Sequence, residues 1–261
     1  MKIVRKDLKV MKKRIALFLA AMMLLTVPSA LAAKKPKATP TPMPAEIGTE
    51  IVDPPEAVQR LLDVAHNEWV TVNGKDQGKK NKYTTWFNNY EWGKNTWCAG
   101  FVTWCMLEAE IPQAPKDDIM KLEEGEAPEP VYHVKASSPA KMAPGYLHMH
   151  RTSAIPQKGF VVLYGENSNK YVHVGLVYDV EDRGGGVYRL TCIEGAMKNT
   201  VRMFVYDYDS TAERKKNIVL LPKEERTEEE TKIFTYGNHK KGTRWYINCF
   251  LMPWVPGDDS L

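Results

Sequence analysis

Cysteine is scarce in this chain: Cys98, Cys105, Cys192 and Cys249 are its only four in 261 residues. Thiols this sparse exclude a scaffold built on disulfides, and a chain of this length, 43% apolar, can fold on a hydrophobic core instead. Four cysteines allow three connectivities, and at most one bridge remains if Cys98 stays a thiol. Internal repeats are lacking. Charge of one sign is lacking too, once the N-terminus is set aside. The formal charge is +4, yet residues 1–32 hold seven bases (Lys2, Arg5, Lys6, Lys9, Lys12, Lys13 and Arg14) against the single acid Asp7. The remainder therefore carries about −2, and no case for nucleic-acid binding survives. Metal-ligand patterns are thin. His148 and His150, with the distant His133, have no cysteine or carboxylate at ligand spacing, and Asp207–Ser210 lacks the offsets of a calcium loop. No metal and no cofactor are expected.

Long apolar runs are confined to one place. The basic residues 1–14 are followed by an apolar stretch from Ile15 to Val27 and then by "PSALAAKK", which offers Ala30 and Ala32 as an A-x-A site. This is the layout of a secretory signal peptide over 1–32, with an uncleaved anchor as the structural alternative. The membrane enters the expected partners only through such an uncleaved leader, and the oligomeric state is not legible. Residues 33–55, rich in proline, threonine and lysine, read as a semi-extended linker. A folded domain is expected over 56–221, with 222–261 as a C-terminal extension packed on the same domain.

Within that domain the apolar spacing changes once. Glu56–Val70 shows an amphipathic helical stripe of Val58, Leu61, Leu62, Ala65 and Trp69, started by Pro54 and Pro55. A loop crowded with aromatics, Tyr83 to Trp92, leads to a second helix that ends near Pro112. From Gly159 onward the pattern alternates: "GFVVLYG", "YVHVGLVYDV", "VYRLTCIEG" and "TVRMFVYDY" read as strands, and "RWYINCFLMPW" as a final one. Helices first and an antiparallel meander afterwards is the α+β pattern.

The stretch "TWCAGFVTWCMLEA", residues 96–109, sets Cys98 at the head of the second helix. A thiol becomes a useful nucleophile when its pKa falls, and a helix N-terminus and a nearby imidazole both lower it. A core cysteine is the plain alternative. His173 lies in the most strand-like segment, where Gly175 leaves room beside it for a substrate or a neighbouring chain. One hairpin later Glu194 is an acid in an otherwise apolar strand, and adjacent antiparallel strands can set it beside His173 to hold the ring tautomer. Cys98, His173 and Glu194 thus form a nucleophile, base and orienter, with a structural ion pair as the other reading of Glu194. The oxyanion hole would use the Cys98 backbone N–H, with a second donor from Asn95 or Trp97.

These pieces, in the order W-C-A-x-F-V-x-W, H-V-G-L-V and I-E-G, resemble a CHAP domain, the cysteine, histidine-dependent amidohydrolase/peptidase fold of bacterial wall hydrolases. The resemblance covers about residues 56–208. It implies a papain-like α+β fold with N-terminal helices packed on an antiparallel sheet. It implies Cys98 as nucleophile, His173 as general base and Glu194 as the ring-orienting acid. The expected function is that of a secreted, wall-associated bacterial cysteine hydrolase with peptidoglycan as partner, cutting a muramoyl–alanine amide or a stem or cross-bridge peptide bond. Two positions depart from the family pattern. Ala196 stands where Asn is common, with Asn199 as a possible fourth, orienting residue, and Phe160 stands where the family tends to carry Asp. They motivate the competing reading, a catalytically inactive module that docks on wall or protein.

Overall fold

Two prolines open the first helix. The computed structural model of the protein describes residues 50–85, 97–166, 170–225 and 245–258. The expected leader, most of the expected linker and the greater part of the aromatic loop lie outside them. Helix α1 (Glu56–Val72) begins directly after Pro54 and Pro55, and the Pro55 carbonyl accepts from the amides of Val58 and Gln59. It ends at Asn73, a left-handed residue with φ 45° whose amide bonds the Trp69 carbonyl, the geometry by which a helix C-terminus uses up an orphan carbonyl. Its buried stripe is Val58, Leu61, Leu62, Ala65, Glu68 and Val72. Trp69 is half-buried, and the stripe holds a carboxylate instead. Glu68 tolerates burial because Tyr83 O–H donates to it at 2.6 Å and Lys82 Nζ at 2.7 Å. Both donors come from the one-turn helix α2 (Lys82–Thr85).

Helix α3 (Cys98–Glu108) is apolar on nearly every side, since Cys98, Ala99, Gly100, Phe101, Val102, Thr103, Cys105 and Met106 are all buried. An all-round apolar helix belongs inside a fold, and α3 packs against α1 on one side and the main sheet on the other. After it come the short strand β1 (Gln113–Pro115), the turn-length helix α4 (Lys116–Ile119), β2 (His133–Lys135) and helix α5 (Pro139–His148). Strands β1 and β2 pair in parallel as a separate two-stranded sheet.

The main sheet is built from β3 (Thr152–Ser153), β4 (Val161–Glu166), β5 (Lys170–Gly184), β6 (Val187–Met197), β7 (Thr200–Asp209), β8 (Ile218–Val219) and β9 (Tyr246–Leu251). Its order is β3-β9-β4-β5-β6-β7-β8, and every pair is antiparallel. The expected meander is β4 to β7, and the short β8, which the sequence did not announce, adds to its edge. The last strand enters the sheet between β3 and β4, so the C-terminal segment supplies an interior strand. The fold is α+β, with helices first and an antiparallel sheet after them.

Close contact between α3 and the sheet depends on one glycine. A Cβ at Gly195 of β6 would lie 2.4 Å from Phe101 Cβ and 2.9 Å from the Trp97 ring. Any larger residue there pushes the head of α3 off the strand that carries Glu194. Phe160, one of the two departures from the expected pattern, is fully buried against Trp254 with ring centroids 5.6 Å apart. It is part of the core.

Candidate active site

Cys98 is the first residue of α3 and is fully buried. The amides of a helix's first turn have no partner within the helix, and they carry the positive end of its dipole. The residue before it is held from three directions. Trp97 stacks on Tyr83 at 4.9 Å, its indole N–H donates to the Gly78 carbonyl at 3.1 Å, and its own carbonyl accepts from the Phe101 amide. Tyr83 is in turn tied to the buried Glu68 of α1. The backbone that presents the thiol is therefore set by packing and hydrogen bonds on both sides.

The sheet register brings the imidazole and the carboxylate together. Leu176 pairs with Ile193 and Val177 with Cys192, so Gly175 stands across from Glu194 and His173 lies one same-face step away, the diagonal position. His173 Nε2 donates to Glu194 Oε2 at 2.8 Å, with both side chains almost completely buried. Gly175 makes this reach possible: a Cβ there would sit 2.6 Å from Glu194 Cγ. The room that the sequence reserves beside His173 is filled by the glutamate itself.

With Nε2 on Glu194, the ring's hydrogen bond to the Cys98 side chain falls to Nδ1. Burial alone pulls the imidazole down. The Cys98 sulfur and then the Glu194 carboxylate, with hydrogen bonds from both, overcome it and raise the ring to about 10. A negative sulfur and a negative carboxylate on opposite edges of one ring are what hold a proton on it. The remaining thiols sit in surroundings of the other kind. Burial pushes Cys105, Cys192 and Cys249 well above their ordinary value, and a thiol raised in this way is inert. None of the four cysteines is in a disulfide.

Three aromatic residues that the sequence reading did not single out complete the surroundings. Tyr164 of β4 donates its O–H to Glu194 Oε1 at 2.5 Å and bonds the Tyr206 hydroxyl of β7. Trp245, directly before β9, stacks on the His173 ring at 5.1 Å and 25°. The strand-face alternation of "GFVVLYG" and "TVRMFVYDY" puts the two tyrosines on inward faces, but the same alternation describes any core tyrosine.

The other candidates are placed elsewhere. Asn199 and Lys198 form the two-residue tip of the β6–β7 hairpin, with φ 60° and 53°, the left-handed pair that a tight hairpin turn requires. Its carbonyl accepts from the Gln77 amide at 2.7 Å. The ring nitrogens are taken by Glu194 and Cys98. Ala196 has φ 65° and lies in the irregular stretch between Glu194 and Met197. Asn95 lies outside the described residues, and the Trp97 indole N–H is spent on Gly78. His133 is buried between Thr103 and Tyr146, while His148 bonds the Leu122 carbonyl at 2.9 Å. Among the described residues no group of three or more His, Cys, Asp and Glu side chains converges on a metal position.

A thiol at a helix head, an imidazole bonded to it, and a carboxylate on the far edge of the ring define the papain-like class of cysteine hydrolase site. Comparison with known families agrees with this class: residues 70–196 match the CHAP domain. Such domains are typically cysteine- and histidine-dependent amidohydrolases, which makes this a hydrolase at the level of the family. Neither curated proteins nor solved structures give a match. The matched stretch contains Cys98, His173 and Glu194; Tyr206 and Trp245 lie beyond it.

Proposed function

We propose that the protein is an exported cysteine hydrolase that cleaves an amide bond in bacterial peptidoglycan. The observation that carries this reading is the continuous contact Cys98–His173–Glu194 at the N-terminus of a buried helix. The family supplies the substrate class, and the basic, apolar and A-x-A layout of residues 1–32 supplies export to the wall. The Cys98 thiolate attacks the amide carbonyl carbon, and the amine leaves as His173 returns the proton taken from the thiol. The resulting thioester is hydrolysed by water, with His173 now accepting the water's proton. The amide of Cys98 faces the developing oxyanion from the helix head. The bond attacked is the muramoyl–alanine amide or a stem or cross-bridge peptide bond.

The competing reading, an inactive docking module, drew on Phe160 and Ala196. Phe160 has a packing role of its own against Trp254, which leaves Ala196 as the remaining support. The test is muropeptide release from purified walls by the mature protein and by Cys98→Ala. Release by the first and none by the second is expected. Equal release from both sinks the mechanism. Alkylation of Cys98 well below pH 8 by the wild type, and slower alkylation in His173→Ala, belongs to an enzyme; a thiol titrating near about 8.5 belongs to a docking module.

A further inference from the structure

Glu194 is 3% exposed, and a carboxylate so placed is costly unless each oxygen finds a donor. Oε2 has His173. Oε1 has Tyr164, and the donor sequence behind it can be worked out by counting protons. Tyr164 has a single hydroxyl proton, and Glu194 takes it at 2.5 Å. In the contact between the two tyrosines the Tyr206 hydroxyl must therefore be the donor. That uses the only proton of Tyr206, so in the 3.2 Å contact with Cys192 Sγ the thiol donates. Burial keeps both phenols and the Cys192 thiol protonated, as this sequence requires. The result is a buried row Cys192, Tyr206, Tyr164, Glu194 in which every O–H or S–H points toward the carboxylate.

The sheet makes the row possible. Tyr164 is on β4 and Glu194 on β6, with β5 between them. Tyr164 pairs with His173 and Val162 with Gly175. The bare backbone at Gly175 opens the path by which a side chain of β4 reaches one of β6.

We propose that Tyr164, backed by Tyr206, is a positioning residue that holds the Glu194 carboxylate aimed at His173 Nε2, so that Nδ1 faces Cys98. This rests on reading Cys98 and His173 as nucleophile and base. Aligned hydrogen bonds strengthen one another, and a carboxylate bonded at both oxygens is fixed in direction. Without the Tyr164 hydroxyl, Glu194 keeps only its bond to His173, and nothing fixes its Oε1, so the carboxylate turns away from the line to Nε2. The imidazolium is then held by a longer, worse-aimed contact, and the Cys98 thiolate is stabilised less by the imidazolium.

The test uses Tyr164→Phe and Tyr206→Phe in the full chain, with two readouts that need no substrate. These are the pH dependence of Cys98 alkylation by iodoacetamide and the ¹⁵N signals of the His173 ring. In Tyr164→Phe the acid limb of alkylation moves up by about one pH unit, and the Nε2–H signal moves toward that of a weaker hydrogen bond. In Tyr206→Phe both move the same way by less, and the double variant equals Tyr164→Phe within about twofold, since the two act in one row. With walls as substrate, kcat falls about tenfold in Tyr164→Phe while KM stays within about twofold, because the lost contact touches no substrate. An unmoved acid limb together with an unmoved Nε2–H signal in Tyr164→Phe overturns the proposal. Wall hydrolysis that persists in Cys98→Ala overturns the hydrolase reading instead, and the ring signals still decide the role of Tyr164.

Discussion

At the scale of single residues, the chemistry of the site is the competition between burial and charge on one imidazole. His173 is almost fully enclosed, a setting that ordinarily drives a histidine to its neutral form. It is nevertheless raised to about 10, and the largest raising cause is the Cys98 sulfur, followed by Glu194. The dependence is reciprocal, since an imidazolium that exists because of a thiolate also stabilises that thiolate. In Cys98→Ala the ring keeps Glu194 but loses the sulfur, and burial regains ground. Its titration, followed by the ¹³C–¹H signals of the ring, is expected to fall by at least about two pH units from the wild-type value. A ring that titrates at the same pH in Cys98→Ala and wild type contradicts the ion pair. Trp245, stacked face to face on the ring at 5.1 Å, shields the imidazole and its bond to Glu194 from water on that side, which strengthens the pairing electrostatically.

At the scale of elements, helix α3 and strands β5 and β6 divide the work: the helix head presents sulfur, and the hairpin presents base and acid at a set diagonal. Gly175 is the element-level hinge of this arrangement, because a methyl group there overlaps Glu194 Cγ at 2.6 Å. Gly175→Ala should keep the sheet, which pairs through the backbone, and push the carboxylate off Nε2. A misplacement of this size costs about 10- to 100-fold in Cys98 alkylation or muropeptide release. Gly184→Ala is the control: its φ of +82° makes the change strained, yet open space surrounds it in the distant β5–β6 turn. Expected there is a loss of about 1 kcal/mol in stability with unchanged alkylation. Wild-type rates in Gly175→Ala would remove the steric account of the diagonal. The contacts across this diagonal were legible in the sequence because they are short-range. Cys98 sits on a helix with clear spacing, and His173 and Glu194 sit on consecutive strands whose period of two puts both on one face. Tyr164, Tyr206 and Trp245 were not, for a topological reason. Their contacts depend on the order of β4, β7 and β9 in the sheet, and strand order is not written in any local pattern. Glu68 shows the local limit as well. On α1 the apolar pattern points to Trp69, but Tyr83 and Lys82, distant in sequence, make it favourable to bury the carboxylate.

At the scale of the whole molecule, the seven-stranded sheet is closed into one core by α1, α3 and α5, and a second histidine reports on that core. His133 is fully buried where α3, β2 and α5 meet. Thr103 spends its proton on the Ala136 carbonyl at 2.9 Å and so accepts from His133 Nε2–H at 3.0 Å, which leaves Nδ1 to accept from Tyr146 O–H at 2.8 Å. Both ring nitrogens are thus satisfied only in the neutral form, and burial lowers the ring from 6.5 to about 3. Below 6.5 the unfolded chain binds a proton on this ring that the folded chain refuses until about 3. The unfolded state therefore holds more protons across that window, and acid favours unfolding. The stability this ring contributes is fully present above 6.5 and is lost as the pH falls toward about 3. By pH 5 the loss is about 2 kcal/mol. His133→Gln offers an amide in place of the ring and cannot titrate. It should be less stable than wild type at pH 7 through imperfect hydrogen bonding, yet lose about 2 kcal/mol less between pH 7 and pH 5. Urea denaturation of both proteins at the two pH values measures it. Parallel losses in the two proteins would show that His133 does not carry the acid limb.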